Sequence, residues 1–417
     1  MDTCSGDAAK QGDDVGNIFV PTYETFPRTA DVVVIGGGIV GVATAFWLSR
    51  AGLDTVLVEM RDGLATLTTA ASAECFRAQF TEPAMVALAK PSIEIFENFA
   101  EVIGIPGYDI SLHQQGYLFL TDRPEMVDQL KAAVEKHHSL GVTDSEFLTG
   151  DEVRARFPFV SPEVVAAIFR QRDGWLACHE ATYGFAKGSN ACFLLCTQAT
   201  AILQDAQGVC GVETTHGTIS TRTVVNAAGP FAAVVGKMAG VEVPIEPVRR
   251  QKVIIGPHER IPQDAPMTID LVNDAYWRPE VRGGLLGWVD PDEPVGEPAE
   301  NLPTDYFFPG IVLEKLARLS PFWEEIADGL KDADVHISAG QYCYTPDDQP
   351  LIGPVPDVPG FYLNCGYWAG VMLSPMAGKW VADLVTGAMD PEDNPLRPTR
   401  YAEGIVVEGD SFLRGRH

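Results

Sequence analysis

The chain has 417 residues, a length that predicts two domains with a long shared interface rather than one small module. Hydrophobic residues make up 46% and charged residues 21% of it, which is typical of a globular protein and excludes a disordered or fibrous chain. The 57 acidic and 30 basic residues give a formal net charge of −27. This field would repel the phosphate backbone of nucleic acid, so no nucleic-acid partner is expected.

The N-terminal stretch, residues 1–30, has neither the basic start nor the apolar core of a secretory signal, and we expect it to be a flexible arm. The eight cysteines include no Cys-x-x-Cys pair, which favours reduced, buried thiols over disulfides or a metal site. Together these features predict a cytoplasmic protein without a metal centre.

An uncharged run of 17 residues, 32–48, follows the arm, and a short membrane span is one interpretation of it. Three consecutive glycines beginning at Gly36 oppose a membrane helix, because each costs roughly 1 kcal/mol relative to alanine. A strand over residues 31–35, a turn, and a helix that ends near residues 51–52 explain the run better. We therefore predict no membrane span.

The turn carries the spacing Gly36-x-Gly38-x-x-Gly41. Glu59 stands at the end of the next predicted strand, residues 55–58. Gly36 suits the tight turn, Gly38 lets backbone approach a pyrophosphate, and Gly41 lets helix and strand pack closely. The phosphates would face the N–H groups of the helix N-terminus. Glu59 would accept hydrogen bonds from the adenosine ribose and repel a 2′-phosphate, so the motif predicts a dinucleotide site and disfavours NADP.

Periodicity predicts further elements along the chain. Residues 116–121 and 282–289 look like strands, and residues 124–141 and 309–329 look like helices. The proline-rich stretch 290–303 predicts a surface loop. These segments predict helices around strand-rich regions.

Three more motifs follow the glycine turn in order. They are Asn226-Ala227-Ala228-Gly229-Pro230, Thr345-Pro346-Asp347-x-x-Pro350-x-Ile352-Gly353, and Gly366-x-x-x-Gly370-x-x-x-Ser374-Pro375-x-x-Gly378. With the glycine turn, the chain resembles the FAD-dependent D-amino-acid oxidase superfamily, in the branch of glycine oxidase, sarcosine oxidase and dimethylglycine dehydrogenase. The motifs extend from residue 31 to residue 378, so the resemblance covers nearly the whole chain.

The resemblance implies an α/β fold in which a Rossmann-like FAD-binding domain of the glutathione-reductase type carries an inserted α+β substrate domain built on a mixed sheet. The FAD-binding domain would be discontinuous and would consist of residues 31–109, 151–241 and 335–400. The substrate domain would consist of residues 110–150 and 242–334. Residues 401–417 would form a C-terminal tail.

The resemblance also implies which residues hold FAD, through their backbone amides, hydroxyls or charges. They are Gly36, Gly38, Ile39, Val40, Gly41, Glu59, Met60, Arg61, Thr69, Ala71, Ser72, Arg77, Ala228, Gly229, Gly340, Gly370, Val371 and Met372. Relatives that bond FAD through a histidine carry that residue in the loop matching residues 66–72, and no histidine lies there. Sarcosine oxidases use a cysteine at the position of Gly340, three residues before Cys343. We therefore expect FAD to be held without a covalent bond.

The last motif predicts the start of a C-terminal helix, because Ser374 followed by Pro375 suits an N-cap and a first turn. In the family, the preceding loop, residues 366–373, runs beside the flavin edge that gains negative charge on reduction. The positive end of the helix would stabilise reduced flavin there.

The family's substrates carry a carboxylate beside the amine or hydroxyl that is oxidised, and an arginine fork is a natural partner for a carboxylate. Arg278 is the preferred clamp, because its surroundings resemble the glycine oxidase pattern, with Arg249, Arg250 and Arg282 as alternatives. An anionic substrate must enter against the negative field, so we expect a local cluster of arginines in the cleft.

Four other side chains are candidates for the catalytic pocket. Tyr276, Tyr344 and Trp368 would form its walls, although aromatic residues in such strands are often only part of the core. His179 is either a structural histidine or a base.

The resemblance implies oxidation of the C–N bond of a small amino acid or N-methyl amino acid. A hydride would pass to flavin N5, the imine would hydrolyse, and O2 or an electron carrier would accept the electrons. Sarcosine oxidase places lysines where Leu285 and Met372 stand here, and a substrate arginine where Phe80 stands, so we favour a dehydrogenase over an oxidase.

Two other functions remain open. One is a 2-hydroxyacid dehydrogenase, with His179 or His336 as the base. The other is a non-catalytic flavin-binding subunit of a larger complex. For each of these functions, three assembly states remain open: a homo-oligomer, a hetero-oligomer and a single chain.

Overall fold

The computed structural model of the protein describes residues 17–407. Its strands in chain order are β1 (Ile18–Phe19), β2 (Val32–Ile35), β3 (Thr55–Val58), β4 (Cys75–Phe76), β5 (Tyr117–Thr121), β6 (Glu146–Thr149), β7 (Ala166–Arg170), β8 (Gly174–Trp175), β9 (Cys192–Leu194), β10 (Ala199–Asp205), β11 (Gly208–Thr214), β12 (Gly217–Ile219), β13 (Thr223–Asn226), β14 (Glu246–Ile255), β15 (Met267–Asp270), β16 (Ala275–Glu280), β17 (Gly283–Trp288), β18 (Val335–Tyr344), β19 (Leu351–Pro354) and β20 (Phe361–Cys365). Its α-helices are α1 (Ile39–Arg50), α2 (Thr68–Ala71), α3 (Pro83–Glu97), α4 (Phe99–Ile103), α5 (Val127–Ser139), α6 (Gly150–Arg156), α7 (Cys178–Lys187), α8 (Ala232–Met238), α9 (Phe308–Ala317), α10 (Phe322–Ala327) and α11 (Gly370–Thr386).

A seven-stranded sheet has the order β1-β9-β3-β2-β13-β20-β19, and its strands are parallel except for the antiparallel β19. In the register of β2 with its neighbours, Ile35 lies opposite Val58 of β3 and Asn226 of β13. The carboxyl ends of these three strands therefore meet at one edge, which is where ligands bind in open α/β sheets.

Strand β2 is apolar at every position because both faces of the sheet are covered. Val32 and Val34 pack in a core with α1, α3, α7 and α11. Val33 and Ile35 pack on the other face with α8 and the three-stranded antiparallel sheet β10-β11-β12. Each such buried side chain stabilises the sheet by about 1.5–3 kcal/mol, which explains why a run resembling a membrane span lies in the core instead.

A second sheet of eight strands has the order β18-β14-β17-β16-β15-β5-β7-β6. Its strands are antiparallel except for the parallel pair of β15 and β5, so this is the mixed sheet expected beside the dinucleotide fold. The predicted α/β architecture and the strands at 116–121 and 282–289 are confirmed. Two strands, β7 and β18, join this sheet although the predicted segments placed them in the FAD-binding domain.

The predicted terminal segments are only partly described, since residues 1–16 and 408–417 lie outside the described residues. The described part of the N-terminal arm is not a free chain. Strand β1 pairs with β9, and the Asn17 side chain donates hydrogen bonds to three backbone carbonyls near α7. At the other end, the Tyr401 hydroxyl donates to the Asp347 carboxylate at 2.7 Å.

The single helix predicted over residues 309–329 is wrong, because the chain forms two helices, α9 and α10, separated by residues 318–321. Pro321 lacks an N–H and cannot continue a helix from the preceding turn, so it begins the second helix instead. The helix predicted over 124–141 is confirmed as a 3-10 turn followed by α5. None of the helices between residues 17 and 407 combines the length and apolar character that a membrane crossing requires.

Candidate functional site

The glycine turn joins β2 to α1 at the edge where the parallel strands end. Gly36 has a φ of +114°, and a Cβ there would lie 2.5 Å from the carbonyl oxygen of Ala227. A Cβ on Gly41 would overlap the carbonyl oxygen of Gly36, so a side chain there would push α1 away from the turn. The N-cap residue Gly38 offers no side-chain cap. The Ile39 N–H at the positive end of α1 donates to the Thr69 hydroxyl at 3.2 Å, and a pyrophosphate would approach the backbone of the glycine turn beside it.

The Glu59 carboxylate lies across this turn at the end of β3. Its Oε2 accepts a hydrogen bond from the Gly37 N–H at 2.6 Å, and its Oε1 accepts one from the Arg61 N–H at 2.8 Å. Burial raises the pKa of Glu59, and the two backbone hydrogen bonds oppose that rise. Each oxygen keeps a second lone pair, so a carboxylate held in place here fits the hydroxyls of a ribose.

A first cavity of about 1290 Å³ begins at the glycine turn. The predicted cofactor residues that line it are Gly36, Gly38, Ile39, Val40, Glu59, Met60, Thr69, Ser72, Ala228, Gly229, Gly370 and Val371. The glycine backbone and the buried acid beside this cavity fit FAD.

Sequence reasoning missed part of the wall. Thr197, Gln198 and Ala199 line the first cavity, and the Thr197 N–H donates to the Glu59 carbonyl at 2.7 Å. They follow β9, which adds in parallel beside β3. The signal was the short apolar run of β9, because the carboxyl end of any strand added in parallel reaches the same edge.

Six predicted cofactor residues lie outside the first cavity. Gly41 lies behind the turn, and the Arg61 guanidinium is turned outward, where it bonds Thr66 at 3.0 Å and Glu300 at 2.7 Å. Because Glu300 occupies it, Arg61 contributes its backbone N–H to the site rather than its charge. The other four line two neighbouring cavities, namely Arg77, Met372, Ala71 and Gly340.

The predicted N-cap at Ser374 is wrong, because α11 begins four residues earlier at Gly370. Pro375 lies inside the helix and has no N–H to pair with the Val371 carbonyl four residues before it. The Ser374 hydroxyl donates to that carbonyl at 3.0 Å and replaces the missing bond. The positive end of α11 is therefore at Gly370 and Val371, which line the first cavity.

A second cavity of about 860 Å³ adjoins the first, and the mixed sheet forms one wall of it with Phe119, Met267 and Ile269. The residues that line both cavities are Ser72, Tyr342, Trp368, Gly370 and Val371. A dinucleotide in the first cavity would thus meet a ligand of the second at this junction.

Arg77 lines the second cavity and is 3% exposed. Its Nη1 donates to the Gln79 carbonyl oxygen. Its guanidinium carbon lies 3.9 Å from the ring centroid of Phe80, 5.3 Å from that of Phe119 and 5.9 Å from that of Trp368. The rings hold a positive charge at the cavity wall by cation–π contact.

Two of the predicted catalytic residues, Tyr276 and Trp368, line the second cavity. The Trp368 indole N–H donates to the Asp348 carbonyl at 2.9 Å, which fixes its ring. Tyr117 and Tyr342 line the same cavity and were not among the predicted residues. Burial raises the pKa values of Tyr117, Tyr276 and Tyr342, so their hydroxyls stay protonated.

The structure does not bring Arg278 to any of these cavities. Its guanidinium is fully buried and bonds the carboxylates of Glu74 and Glu280 as well as the carbonyls of Ala73 and Pro279. A substrate carboxylate would have to displace two carboxylates of the chain itself. The prediction that Arg278 clamps the substrate is therefore corrected, because its charge is already neutralised.

Tyr344 and His179 also lie outside these three cavities. The Tyr344 hydroxyl accepts a hydrogen bond from Arg250 at 3.2 Å, and His179 lies on α7 beside Cys178.

Two of the alternative arginines are also placed elsewhere. Arg249 forms a bidentate pair with Glu293 at 2.8 and 3.0 Å, and Arg282 is exposed in the turn before β17. The arginines that line the adjoining cavities are Arg77 and Arg250.

A family model described as FAD dependent oxidoreductase matches residues 31–384. Human mitochondrial dimethylglycine dehydrogenase is 28% identical over 404 residues, which cover 91% of this chain and 45% of that protein. Human mitochondrial sarcosine dehydrogenase is 26% identical over 98% of this chain and 45% of its own length. The chain thus spans about half the length of the curated relatives it matches.

Solved structures resemble most of the chain. L-proline dehydrogenase from P. horikoshii superposes with a TM-score of 0.79 and 30% identity, covering 91% of this chain and 100% of that one. Glycine oxidase from Bacillus cereus has a TM-score of 0.74 at 24% identity, covering 88% and 98%, and this likeness shows the fold alone.

Proposed function

The chain belongs to the family of FAD-dependent oxidoreductases, and we propose that it oxidises the C–N bond of an amino acid or N-methyl amino acid. The predicted family and the FAD cofactor are thereby confirmed, whereas the substrate is our inference. One observation carries it: a dinucleotide cradle and a smaller cavity with an arginine in its wall meet at one junction.

Different residues of the first cavity would bind different groups of the cofactor. The backbone of the glycine turn and the first turn of α1 would bind the pyrophosphate, and Glu59 the adenosine ribose. The positive end of α11 at Gly370 lies at the junction, where it favours added negative charge. When bound, FAD supplies the acceptor for the hydride, which carries both electrons away from the substrate carbon.

The second cavity would orient the substrate. Arg77 would bind the substrate carboxylate, since a guanidinium and a carboxylate form charge-assisted hydrogen bonds. The protonated hydroxyls of Tyr276 and Tyr342 would donate to or accept from the amine and hold it at the junction. The apolar wall excludes water, which strengthens these contacts. The imine product would hydrolyse after release.

We infer that FAD is held without a covalent bond. Cys343 lines the first cavity, but burial raises the pKa of its thiol to about 12, so the reactive thiolate is scarce. A cysteine at position 340 has no room, because a Cβ on Gly340 would lie 2.8 Å from the Ala71 side chain.

A dehydrogenase remains the favoured form of the activity, with an electron carrier as acceptor. Leu285 is buried in the mixed sheet and Met372 lines the second cavity, so neither position supplies the lysine of sarcosine oxidase. The cytoplasmic location stays a prediction, and the human relatives named above are mitochondrial.

The rival 2-hydroxyacid chemistry has less support, because it needs a base for the hydroxyl proton. Neither His179 nor His336 lines any of the three cavities named above.

An anaerobic substrate panel tests the proposal. The FAD-loaded protein is mixed with N-methyl amino acids, D-amino acids, proline, glycine and 2-hydroxyacids while flavin absorbance is followed. We expect an amino acid or N-methyl amino acid to bleach the flavin. Bleaching by 2-hydroxyacids alone would establish the rival, and bleaching by none would favour a non-catalytic flavin-binding subunit. Repeating the reaction in air separates an oxidase from a dehydrogenase.

Arg77→Met, with Arg282→Met as a control of equal charge change, tests the carboxylate contact. We expect the Arg77 variant to weaken substrate binding by at least about tenfold, as loss of one charge-assisted contact implies. The exposed Arg282 variant should bind substrate as the native protein does. Equal binding by both variants would contradict a role for Arg77.

A further inference from the structure

The loop of residues 66–72, the cofactor loop, forms part of the wall where the first and second cavities meet. The members that line the first cavity are Thr66, Leu67, Thr68, Thr69 and Ser72, and Ser72 also lines the second. The Thr69 hydroxyl accepts a hydrogen bond from the Ile39 N–H at the start of α1, at 3.2 Å. The position of this loop therefore shapes the site both at the glycine turn and at the junction of the two cavities.

Lys252 reaches the cofactor loop from β14 of the mixed sheet. Its Nζ donates hydrogen bonds to the carbonyls of Ala70 and Ser72 at 2.9 and 2.8 Å. Helix α2 ends at Ala71, so these carbonyls lie where a helix leaves its last acceptors without partners, and a lysine is a suitable donor there. Lys252 lines neither the first nor the second cavity, so it can act on a ligand in them only through this loop or through its charge.

A cluster of charged side chains lies beside Lys252. Arg278 pairs with the carboxylates of Glu74, at 3.4 Å, and of Glu280, and its Nε donates to the Ala73 carbonyl at 3.0 Å, directly after the cofactor loop. One guanidinium and two carboxylates leave this cluster with one net negative charge. Burial lowers the pKa of Lys252, and Glu74 and Glu280 oppose that change, so the cluster favours the charged ammonium.

The charge of Lys252 bears on the cofactor because the flavin ring system gains negative charge when it is reduced. Charges in a poorly solvated interior interact over several ångströms. Without the ammonium, the net negative charge of the Glu74–Arg278–Glu280 cluster would stand behind the cofactor loop and oppose reduction.

We propose that Lys252 is a positioning residue of the FAD site, which holds the cofactor loop against the mixed sheet and whose ammonium makes bound FAD easier to reduce. The two hydrogen bonds to the loop carbonyls would hold the loop, and the positive charge would offset the charge of the cluster. Both effects act on FAD and are independent of the substrate that is oxidised.

Reduction of the FAD-loaded protein by a chemical reductant, in the presence of a dye of known potential, measures the flavin potential without any substrate. We expect Lys252→Met to shift the equilibrium toward oxidised flavin about tenfold, which lowers a two-electron potential by about 30 mV. The control Lys131→Met makes the same charge change on the exposed face of α5 and should shift that equilibrium by less than about twofold.

A double variant separates the charge of Lys252 from its hydrogen bonds. Lys252→Met combined with Glu280→Gln removes one positive and one negative charge, so the equilibrium should return to within about twofold of that of the native protein. The hydrogen bonds to the cofactor loop stay lost, so FAD should bind several-fold more weakly to the single and the double variant alike. Titration of each apoprotein with FAD measures the Kd.

Glu280→Gln alone keeps the test valid where Lys252→Met does not fold or does not retain FAD. This variant leaves Lys252 and its bonds to the loop in place and removes one negative charge, so we expect the flavin potential to rise. Glu135→Gln, exposed on α5, is its matched control and should leave the potential unchanged.

Each result either supports or overturns one part of the proposal. An unchanged Kd for FAD in Lys252→Met would overturn the role of Lys252 in holding the loop. The effect of its charge is overturned when Lys252→Met keeps the native potential, when the double variant keeps the lowered potential of the single one, or when Glu280→Gln does not raise the potential. The anaerobic substrate panel decides the proposed function by a separate measurement, since a chemical reductant replaces the substrate in these titrations.

Discussion

Replacing Glu59 by glutamine preserves the shape of the side chain and removes one hydrogen-bond acceptor. The N–H groups of Gly37 and Arg61 donate to different oxygens of Glu59 at 2.6 and 2.8 Å. Glutamine has one oxygen, so one buried N–H would face the amide NH2, at a cost of about 1–3 kcal/mol. The neutral amide avoids the burial penalty that raises the pKa of Glu59, which offsets part of this cost. We therefore expect a net destabilisation of the apoprotein near the lower end, about 1 kcal/mol.

Glu59→Gln should also weaken the binding of FAD. A hydrogen bond from ribose to a charged group contributes about 1.5–3 kcal/mol and one to a neutral group about 0.5–1.5, so the difference is about 1–1.5 kcal/mol. This corresponds to about a tenfold weaker Kd. Titration of the apoprotein with FAD, followed by flavin fluorescence, measures the Kd, and urea unfolding measures the stability.

A buried carboxylate outside the cofactor cavities provides the matched control for Glu59→Gln. Asp270 accepts a hydrogen bond from Arg318 at 2.9 Å in the mixed sheet, and Asp270→Asn should reduce stability but keep the Kd for FAD within twofold. A folded Glu59→Gln protein that binds FAD as tightly as the native one would refute the assignment of Glu59 to the ribose.

Three further outcomes are expected. Gly41→Val should be purified with little or no flavin, because its side chain would overlap the Gly36 carbonyl oxygen, and the ratio of flavin to protein absorbance measures this. Arg400→Met should lower the free energy of unfolding by about 3–5 kcal/mol at neutral pH, because it leaves the Asp347 carboxylate buried without the two 2.9 Å bonds from Arg400. Burial would raise the pKa of Asp347, but the bonds from Arg400 outweigh this effect and hold that pKa below its usual value. The ion pair therefore stabilises the protein above about pH 4. The difference in free energy of unfolding between the native and variant proteins should shrink as the pH falls below that value. A constant difference down to pH 3 would contradict this, as would a destabilisation under about 1 kcal/mol. Denaturant followed by filtration should release all FAD, and flavin that stays with the polypeptide would show a covalent bond.

The cofactor cradle was predictable because its causes are local. The helix Ile39–Arg50 and the strand Thr55–Val58 begin and end close to where glycine spacing and apolar runs placed them. Gly36 and Gly41 are required by backbone contacts within one turn, which neighbouring residues in the sequence determine. Glu59 follows from its place at the end of that strand.

The substrate side was less predictable because it depends on distant partners. Arg278 looked like a clamp in its own segment, yet Glu74, which neutralises it, stands 204 residues earlier in the chain. The wall formed by Thr197 depends on β9 pairing with β3; the apolar run of β9 indicates a strand but does not show which strand it pairs with.

The sequence by itself thus determined the dinucleotide cradle, since glycine sterics and the burial of apolar strands act over short stretches. Its four motifs indicated the family, and that resemblance implied the second, mixed sheet. Only the tertiary structure decided which charges meet. A carboxylate brought beside an arginine removes it from ligand binding, as at Arg278, whereas Arg77 and Arg250 were brought to cavity walls. Which of these occurs depends on the packing of segments far apart in the chain, because ion pairs are formed by side chains within about 4 Å in space, whatever their separation in sequence.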